Sequence, residues 1–292
     1  MKKIVFVFSL ALPFYANAWE PCGTDALGNT ANCEYQIVNG TLTIRGTGDN
    51  GNIGTWDLDS GTIAPWTGKG VTNVVIEDSI KNLGKMGFAD IKSQNPIVIP
   101  NSITTIGYNA FFLADTSEII IPDSVTDISN GAFDWSSIKK IDIPDSVKIL
   151  GGLRGTNLVD VVVPDSVEGI RDIAFSHCLN LQSLTIGENT QLGDIFRDIN
   201  DDGERVFTDI ANLKIYCTGD TAKCDANLAA AGYPELKTSK ATTKHINGVT
   251  YVYDKSGKLV TSSGHRSEKR IYTIEEANAV AGARNRVSIK YR

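Results

Sequence analysis

One acidic loop has the side-chain spacing of a calcium-binding loop. Its oxygen-bearing positions 1, 3, 5 and 12 are Asp198, Asn200, Asp202 and Asp209. Hard oxygen ligands suit Ca²⁺, and Gly203 at position 6 permits the sharp turn that such loops contain. However, Asp209 stands where these loops carry a bidentate Glu, and no flanking pair of helices is predicted. Two interpretations stay open, a Ca²⁺ site and a solvated acidic insertion, so no metal ligand or cofactor is assigned.

The three histidines form no catalytic or metal-binding pattern. His177, His245 and His265 are not spaced for metal binding, and the sequence contains no Gly-x-Ser-x-Gly motif, phosphate-binding loop or Cys/His pairing. His177 lies between Ser176 and Cys178, where a solvated histidine is a simpler interpretation than a general base. The sequence therefore predicts a protein that is not an enzyme.

A recurring phrase predicts the elements that hold these residues. Its copies, of the type Ile-Pro-Asp-Ser-Val, lie at 76–80, 99–103, 121–125, 143–147 and 163–167, with a decayed copy at 186–190. Their first residues are 20 to 23 positions apart, a period typical of a solenoid of stacked units. One unit buries too little apolar area to fold alone, whereas stacked units share one core.

Each copy follows a strand-like apolar run. Alternate residues in a Leu-x-x-Ile-x-Ile frame are predicted to point inward, and in the last unit Ile210, Leu213 and Ile215 fill this frame. Proline then stops the strand, and Asp and Ser favour a turn. Ala-Phe pairs such as Ala110-Phe111 close the core from behind. The prediction is a right-handed, single-layer stack with seven parallel strands between Val71 and Cys217.

The repeats resemble the BspA-like, or Treponema pallidum-type, leucine-rich repeat family. The resemblance rests on the Ile-Pro-Asp-Ser-Val…Ile-Gly/Ser…Ala-Phe…Leu pattern at 99–120, 121–142 and 163–185, and the lead-in at 40–48 extends it. It implies a leucine-rich repeat solenoid with one parallel β-sheet and an irregular convex side. The copy at 143–162 departs from the pattern, since residues 151–155 replace the Ala-Phe return, and a shortened or kinked far side is expected there.

The cysteines predict two local disulfides. Seven strands spaced about 4.8 Å apart make a sheet roughly 29 Å long, and disulfide-bonded residues have Cα atoms within about 7 Å. Cys22 and Cys33 precede this sheet and Cys217 and Cys224 follow it, so the pairs Cys22–Cys33 and Cys217–Cys224 are expected. Cys178 occupies an inward repeat position and is interpreted as a buried free thiol.

The first residues predict export. Residues 1–18 combine a lysine-containing start, an apolar run and an Ala-x-Ala cleavage site, as a secretory signal peptide does. A secreted, cell-surface or periplasmic location follows, and no transmembrane segment is predicted. Residues 19–70 form a predicted N-terminal β cap, in which Trp56 and Trp66 either cover the open end of the solenoid or provide a sugar-binding platform.

The end of the chain predicts a cap, a linker and a small module. A short helix near 226–231 and a linker make up 218–245, and 246–292 is predicted to be a small basic α+β module that contains a β-hairpin. From Ala241 onward the net charge is +6, whereas residues 19–240 carry −14. Such asymmetry indicates different surroundings for the repeats and the tail, and electrostatic contact between the tail and anionic envelope polymers is one interpretation.

The function predicted from these features is extracellular binding. The family resemblance implies an adhesin or binding module for a protein or glycan at a cell surface, with no nucleic-acid partner; the alternative is a structural envelope protein held by its basic tail. The residues that face outward on the sheet are predicted to bind the partner. They are Val75, Val98, Ile120, Asp142, Val162, Thr185 and Lys214. Val75, Val98 and Ile120 would form an apolar ridge there.

Overall fold

The computed structural model describes residues 18–57, 60–199, 205–207, 212–246 and 249–263. Short strands dominate these ranges. In chain order the strands are β1 (Glu20–Pro21), β2 (Cys33–Val38), β3 (Thr41–Gly46), β4 (Gly51–Asn52), β5 (Asn73–Ile76), β6 (Ile80–Asn82), β7 (Ile97–Val98), β8 (Thr105–Ile106), β9 (Ile119–Ile120), β10 (Asp127–Ile128), β11 (Ile149–Leu150), β12 (Asp160–Val162), β13 (Gly169–Ile170), β14 (Ser183–Ile186), β15 (Gln191–Leu192), β16 (Arg197–Ile199), β17 (Arg205–Phe207), β18 (Lys214–Cys217), β19 (Thr238–Ile246), β20 (Val249–Asp254) and β21 (Leu259–Ser263). Helix α1 (Thr221–Ala230) lies between β18 and β19.

The strands that precede the repeated phrases stack in parallel, and their inward side chains form the core. Ile97, Ile119, Val161 and Leu184 are buried, as the alternation predicted. The ladders are interrupted, however: β3 pairs with β5, β7 with β9, β12 with β14, and β14 with β18. The run around Ile141 contributes an isolated bridge between Glu118 and Lys140. The prediction of one continuous sheet of seven strands is therefore wrong in detail. The prolines that follow β7, β9 and β12 lack the N–H needed to lengthen these ladders.

In several units the serine of the phrase ties the unit to the preceding one, although Ser166 Oγ is buried without a hydrogen-bond partner among the described residues. Ser124 Oγ donates a hydrogen bond to the Ile103 carbonyl at 2.6 Å, and Ser146 Oγ donates to the Val125 carbonyl at 2.6 Å. In the decayed copy, Thr190 Oγ1 donates a hydrogen bond to the Val167 carbonyl at 3.1 Å. The phrase therefore recurs because the small hydroxyl satisfies a backbone carbonyl of the neighbouring unit, as well as favouring a turn.

The far side of the stack carries a second parallel sheet that the sequence did not predict. Strands β8, β10, β11, β13 and β15 form it, each two residues long and in register with the next. One residue of each pair points inward, as buried Ile106, Ile128 and Leu150 do. The convex side is therefore more regular than expected.

Aromatic rings stack along the core between the two sheets. Trp66, Phe88, Phe111 and Phe133 follow one another with ring centroids 5.1 to 6.0 Å apart. Phe133 N–H donates a hydrogen bond to the Gly152 carbonyl. This register places Leu153 at the position that phenylalanine occupies in the preceding units. A second row of ring contacts starts at Phe175 and continues through Phe196 to Tyr233, with tilted and edge-on rings.

The irregular unit at 143–162 makes its return with glycines. Gly152 and Gly155 have positive φ angles of 66° and 67°. A Cβ on Gly152 would overlap the backbone of Gly131 and Ala132, and a Cβ on Gly155 would overlap the ring of Trp135. The expected shortening of this unit therefore has a physical cause, since its backbone lies against the preceding unit where no side chain fits.

The N-terminal cap extends the repeat sheet. Strands β1, β2 and β3 form an antiparallel sheet that joins β5 in parallel, and the disulfide Cys22–Cys33 is present. Trp56 and Trp66 are 4% and 1% exposed, and Trp66 Nε1 donates to the Gly87 carbonyl at 3.0 Å. Both rings are core residues, so the sugar-platform interpretation of these two tryptophans is wrong.

The other end is closed by α1 and the disulfide Cys217–Cys224. Asp220 caps the helix by accepting a hydrogen bond from Ala222 N–H at 2.9 Å. Residues 238–240 of β19 then add a parallel strand beside β18, where the sequence had suggested a linker. Strands β20 and β21 form the predicted hairpin. The rest of β19 pairs antiparallel with β20, which the sequence did not predict. Within the described ranges no helix is long and apolar enough to cross a membrane.

Candidate protein-binding face

Within each ladder, the outward positions of neighbouring strands lie opposite one another. Val75 lies opposite Thr43, Val98 opposite Ile120, and Val162 opposite Thr185. The last member of the predicted outward column differs from the prediction, because Thr185 lies opposite Tyr216 and Lys214 lies opposite Ser183. Lys214 therefore belongs to the flanking column, two residues from the predicted register.

Disulfide-bonded Cys217 explains this error. Cys217 is fully buried and lies opposite Ile186, so it takes the inward position that the sequence frame had given to Ile215. Ile215 instead lies opposite Leu184. A shift of two residues keeps each side chain on the same face of the strand, so the alternation alone could not reveal it.

The first part of the column is open to solvent. Val98 is 39% exposed, and Val75 and Ile120 are half-buried. We call these three residues the apolar ridge. Polar side chains flank it, since Glu118 precedes Ile120 by two positions and forms an ion pair with Lys140, with 3.8 Å between Oε1 and Nζ. The structure therefore places these three predicted residues side by side on an accessible sheet face.

The second part of the column is covered by the chain itself. Asp142, Val162 and Thr185 are at most 7% exposed, and Val162 packs with Ala241 and Val252 in a small apolar cluster. Tyr216 and Val260 pack against this cluster. The predicted binding face is thus divided, because strands β19 to β21 curve over its C-terminal half.

Asp142 anchors this cover. Its Oδ2 atom is 2.9 Å from Lys140 Nζ, and its Oδ1 accepts a hydrogen bond from Ser263 Oγ at 3.0 Å. A carboxylate buried in this way needs such partners, because burial of an unpaired charge is costly. Asp142 therefore holds β21 to the repeats and is not accessible to a partner.

A cleft of about 1000 Å³ runs between the cover and the phrase turns. The turns supply Asp123, Asp145 and Asp165, and the cover supplies His245 and Thr250. Thr250 Oγ1 lies 2.9 Å from His245 Nδ1. Among the described residues, His, Cys, Asp and Glu side chains nowhere gather as a metal site would require.

The other candidate residues do not gather at one site. Cys178 is buried, and burial raises the pKa of its thiol; the thiol lies 3.1 Å from the Leu153 carbonyl. This confirms the free, buried cysteine predicted from the repeat. The ring centroid of His177 lies 5.1 Å from that of Trp135.

Most of the proposed calcium loop lies outside the described residues. The backbones of β16 and β17 pair antiparallel at its two sides, with Asp198 opposite Val206. Asn200, Asp202 and Asp209 are not among the described residues, so the Ca²⁺ interpretation stays a prediction. The basic residues of the tail beyond Ser263 also lie outside the described ranges.

Two features of the surface were missed by sequence reasoning. The docking of the hairpin on the strand face was missed because Ala241 and Val252 are separated from Val162 by many residues and by a segment of linker-like composition. The signal available was the alternation of Ala241, Thr243 and His245, which marks one face of a strand. The second feature is the exposed ring of Trp135. It carried no repeat signal because the equivalent position in other units holds different residue types, such as glycine, aspartate and histidine.

A match to a protein-family model agrees with the fold described above. The model of the BspA type leucine rich repeat region matches six copies over residues 66–182 and 151–214. No curated protein matches the chain. A leucine-rich repeat protein from Eubacterium ventriosum ATCC 27560 has 17% identity and a TM-score of 0.48, over 61% of this chain and 46% of that protein. The chain thus spans less than half the length of that structure.

Two further solved structures are similar to this chain. A leucine rich cell surface protein from Faecalibacterium prausnitzii A2-165 has 12% identity and a TM-score of 0.24, over 56% of this chain and 71% of that protein. A leucine-rich repeat protein from Bacteroides ovatus ATCC 8483 has 14% identity and a TM-score of 0.20, over 68% of this chain and 80% of that protein. Because the family model covers half of the sequence and its repeats coincide with the stacked units, the chain belongs to the BspA-type leucine-rich repeat family.

Proposed function

We propose that this protein is an exported, non-catalytic binding module that holds a protein partner on its apolar ridge and thereby mediates adhesion to a host or neighbouring cell. Membership of the family suggests a protein-binding role at the bacterial surface. The predicted signal peptide and the two disulfides agree with an extracellular location. The observation that carries the proposal is the solvent-exposed ridge of Val75, Val98 and Ile120.

The ridge has the properties of a protein-binding surface. Its side chains are β-branched and stand on strands whose opposite faces are buried in the core, so they lose little conformational freedom when a partner binds. The rim contains Glu118 and Lys140, which suits an interface with an apolar centre and a polar edge. The ridge also continues directly into the surface that the hairpin covers, where Val162 is only 5% exposed.

The covered half indicates what kind of partner fits. There the chain's own β-structure packs small apolar side chains, Ala241 and Val252, against Val162. An extended or hairpin segment with small apolar residues would make equivalent contacts with the ridge. We therefore expect a protein partner in preference to a glycan at this face.

A bead-adhesion assay tests this function. Beads coated with the mature protein are incubated with epithelial cells and with bacteria of other species, and the bound beads are counted. We expect Ile120→Glu to reduce adhesion at least about tenfold, since a charge at the centre of an apolar contact costs more than 1.4 kcal/mol. The matched control is Thr105→Glu, which adds the same charge at an exposed position of β8 on the far side.

The outcomes separate binding from folding. Ile120→Glu is expected to leave the thermal unfolding midpoint almost unchanged, because the Ile120 side chain is not part of the core. Equal adhesion of Ile120→Glu and the unsubstituted protein would show that the ridge does not bind the partner. Unfolding by Ile120→Glu would instead show that the inward and outward faces are exchanged.

A further inference from the structure

A row of corner residues carries unusual backbone geometry at the turn that leads back into each strand. The φ angles are positive in five successive units: Asp90 (54°), Leu113 (58°), Trp135 (59°), Gly155 (67°) and His177 (56°). Glycine adopts this conformation freely, and aspartate and histidine tolerate it, whereas a bulky aromatic residue seldom does. The chain thus accepts backbone strain at Trp135, as it does at Leu113 in the preceding unit, whereas the other three units use residues better suited to the corner.

Trp135 gives little to the core in return for this strain. Its side chain is 40% exposed, although large aromatic residues stabilise folds mainly through burial. Strained residues that persist without a packing gain are concentrated at binding sites. The exposed indole of Trp135 is therefore accessible to a ligand.

The ring of Trp135 is held in one orientation by its neighbours. Gly155 lies beneath it, so closely that a Cβ on this glycine would overlap the ring. The Arg154 guanidinium carbon lies 5.4 Å from the ring centroid, and the His177 ring centroid lies 5.1 Å away with the planes tilted by 45°. The indole is therefore fixed before any ligand arrives, which lowers the entropy cost of binding.

We propose that Trp135, Arg154 and His177 form a binding site for an acidic saccharide. The C–H groups on one side of a pyranose ring carry partial positive charge and stack against the electron-rich face of an indole. A guanidinium group donates paired hydrogen bonds to a carboxylate, and an imidazole N–H adds a third donor. A sialic acid or uronic acid residue presents both groups in one molecule. This site uses the corner of the units and shares no residue with the apolar ridge.

Titration of intrinsic fluorescence tests the site with defined probes. The acidic probes are 3′-sialyllactose and trigalacturonate, and the matched neutral probes are lactose and the methyl ester of trigalacturonate. Trp56 and Trp66 are buried and Trp19 is half-buried, so a ligand-dependent change in emission is assigned to Trp135 only if it disappears in Trp135→Asn. We expect saturable binding of at least one acidic probe, about tenfold or more tighter than its neutral counterpart, because paired hydrogen bonds to a carboxylate discriminate strongly.

Substitutions distinguish recognition from packing. Trp135→Asn is expected to abolish binding without lowering the unfolding midpoint, because asparagine tolerates the left-handed conformation. Arg154→Lys is expected to weaken binding of the acidic probe alone, since lysine cannot form the paired contact. Tyr108→Asn is the control, because Tyr108 is another exposed aromatic residue beside a cation. Its side chain is 53% exposed, and Lys85 Nζ lies 5.7 Å from its ring centroid.

Four results would overturn the proposal. They are the absence of a saturable response to either acidic probe, equal affinity for the acidic and neutral probes, a loss of binding in Tyr108→Asn equal to that in Trp135→Asn, and retained binding by Trp135→Asn. If neither acidic probe binds but Trp135→Asn reduces bead adhesion, the corner contacts a protein, because tryptophan and arginine are also common at protein interfaces. None of these results depends on the apolar ridge, so the two sites can fail separately.

Discussion

Replacement of Ile121 by aspartate is expected to unfold several repeat units together. Ile121 is the inward neighbour of Ile120 and is 5% exposed. Loss of a buried isoleucine removes about 1.5 to 3 kcal/mol of transfer free energy, and burial of an unpaired carboxylate adds several kcal/mol more. The sum is about 5 kcal/mol or greater, which is comparable to the whole free energy of unfolding of many proteins.

The effect should spread because neighbouring units share the core. Ile121 belongs to the same inward column as Ile99 and Ile143, which are 1% and 6% exposed, and each unit of a solenoid is stabilised mainly by its neighbours. Urea unfolding monitored by far-ultraviolet circular dichroism measures the change in midpoint. Ile121→Val sets the scale, with an expected cost of about 0.5 to 1.5 kcal/mol. If Ile121→Asp has the same midpoint as the unsubstituted protein, the inward assignment of this column is wrong.

Three other predictions concern a hydrogen bond, a buried acid and the tail. Ser146→Ala should lower the free energy of unfolding by about 1 kcal/mol in urea titrations, because the Val125 carbonyl loses its donor; no measurable change would show that the ladder of hydroxyl groups is dispensable. Burial raises the pKa of Asp134 to about 6, so the folded state binds a proton more tightly than the unfolded state. Stability should therefore fall as pH rises from about 4 to 6, by on the order of 3 kcal/mol, and Asp134→Asn should remove this dependence in unfolding curves measured across that range; an unchanged curve would contradict it. If the basic tail holds the protein to anionic envelope polymers, neutralising Arg266, Lys269 and Arg270 should increase its release from fractionated cells at low salt; retention that ignores both salt and these changes would contradict that role.

The repeat sequence predicted the core well because each unit repeats the same physical requirement. Apolar alternation identified the inward residues from Ile97 to Leu184, and the estimated length of the sheet predicted both disulfides. The second sheet on the far side was missed because its strands, such as β10 (Asp127–Ile128), are two residues long. A pair of residues is too short for alternation to show a strand.

The candidate face was predicted in part, and long-range contacts explain the rest. The ridge of Val75, Val98 and Ile120 follows from strand alternation within each unit. The burial of Val162 and Thr185 depends on Ala241 and Val252, which belong to another part of the chain, and Lys214 was misplaced because Cys217 occupies an inward position usually filled by isoleucine. Neither effect is encoded by spacing within a repeat.

Site-specific photo-crosslinking at Val98 is the most direct measurement of the proposed binding face. A photoreactive phenylalanine analogue replaces Val98, the most exposed residue of the ridge, or Thr105 on the far side, and the protein is irradiated while bound to cells to which it adheres. The account predicts a discrete crosslinked product from position 98 that is absent from position 105 and is lost when Ile120→Glu is added. A product that forms equally from both positions, or that persists with Ile120→Glu, would contradict the assignment of the ridge as the protein-binding face.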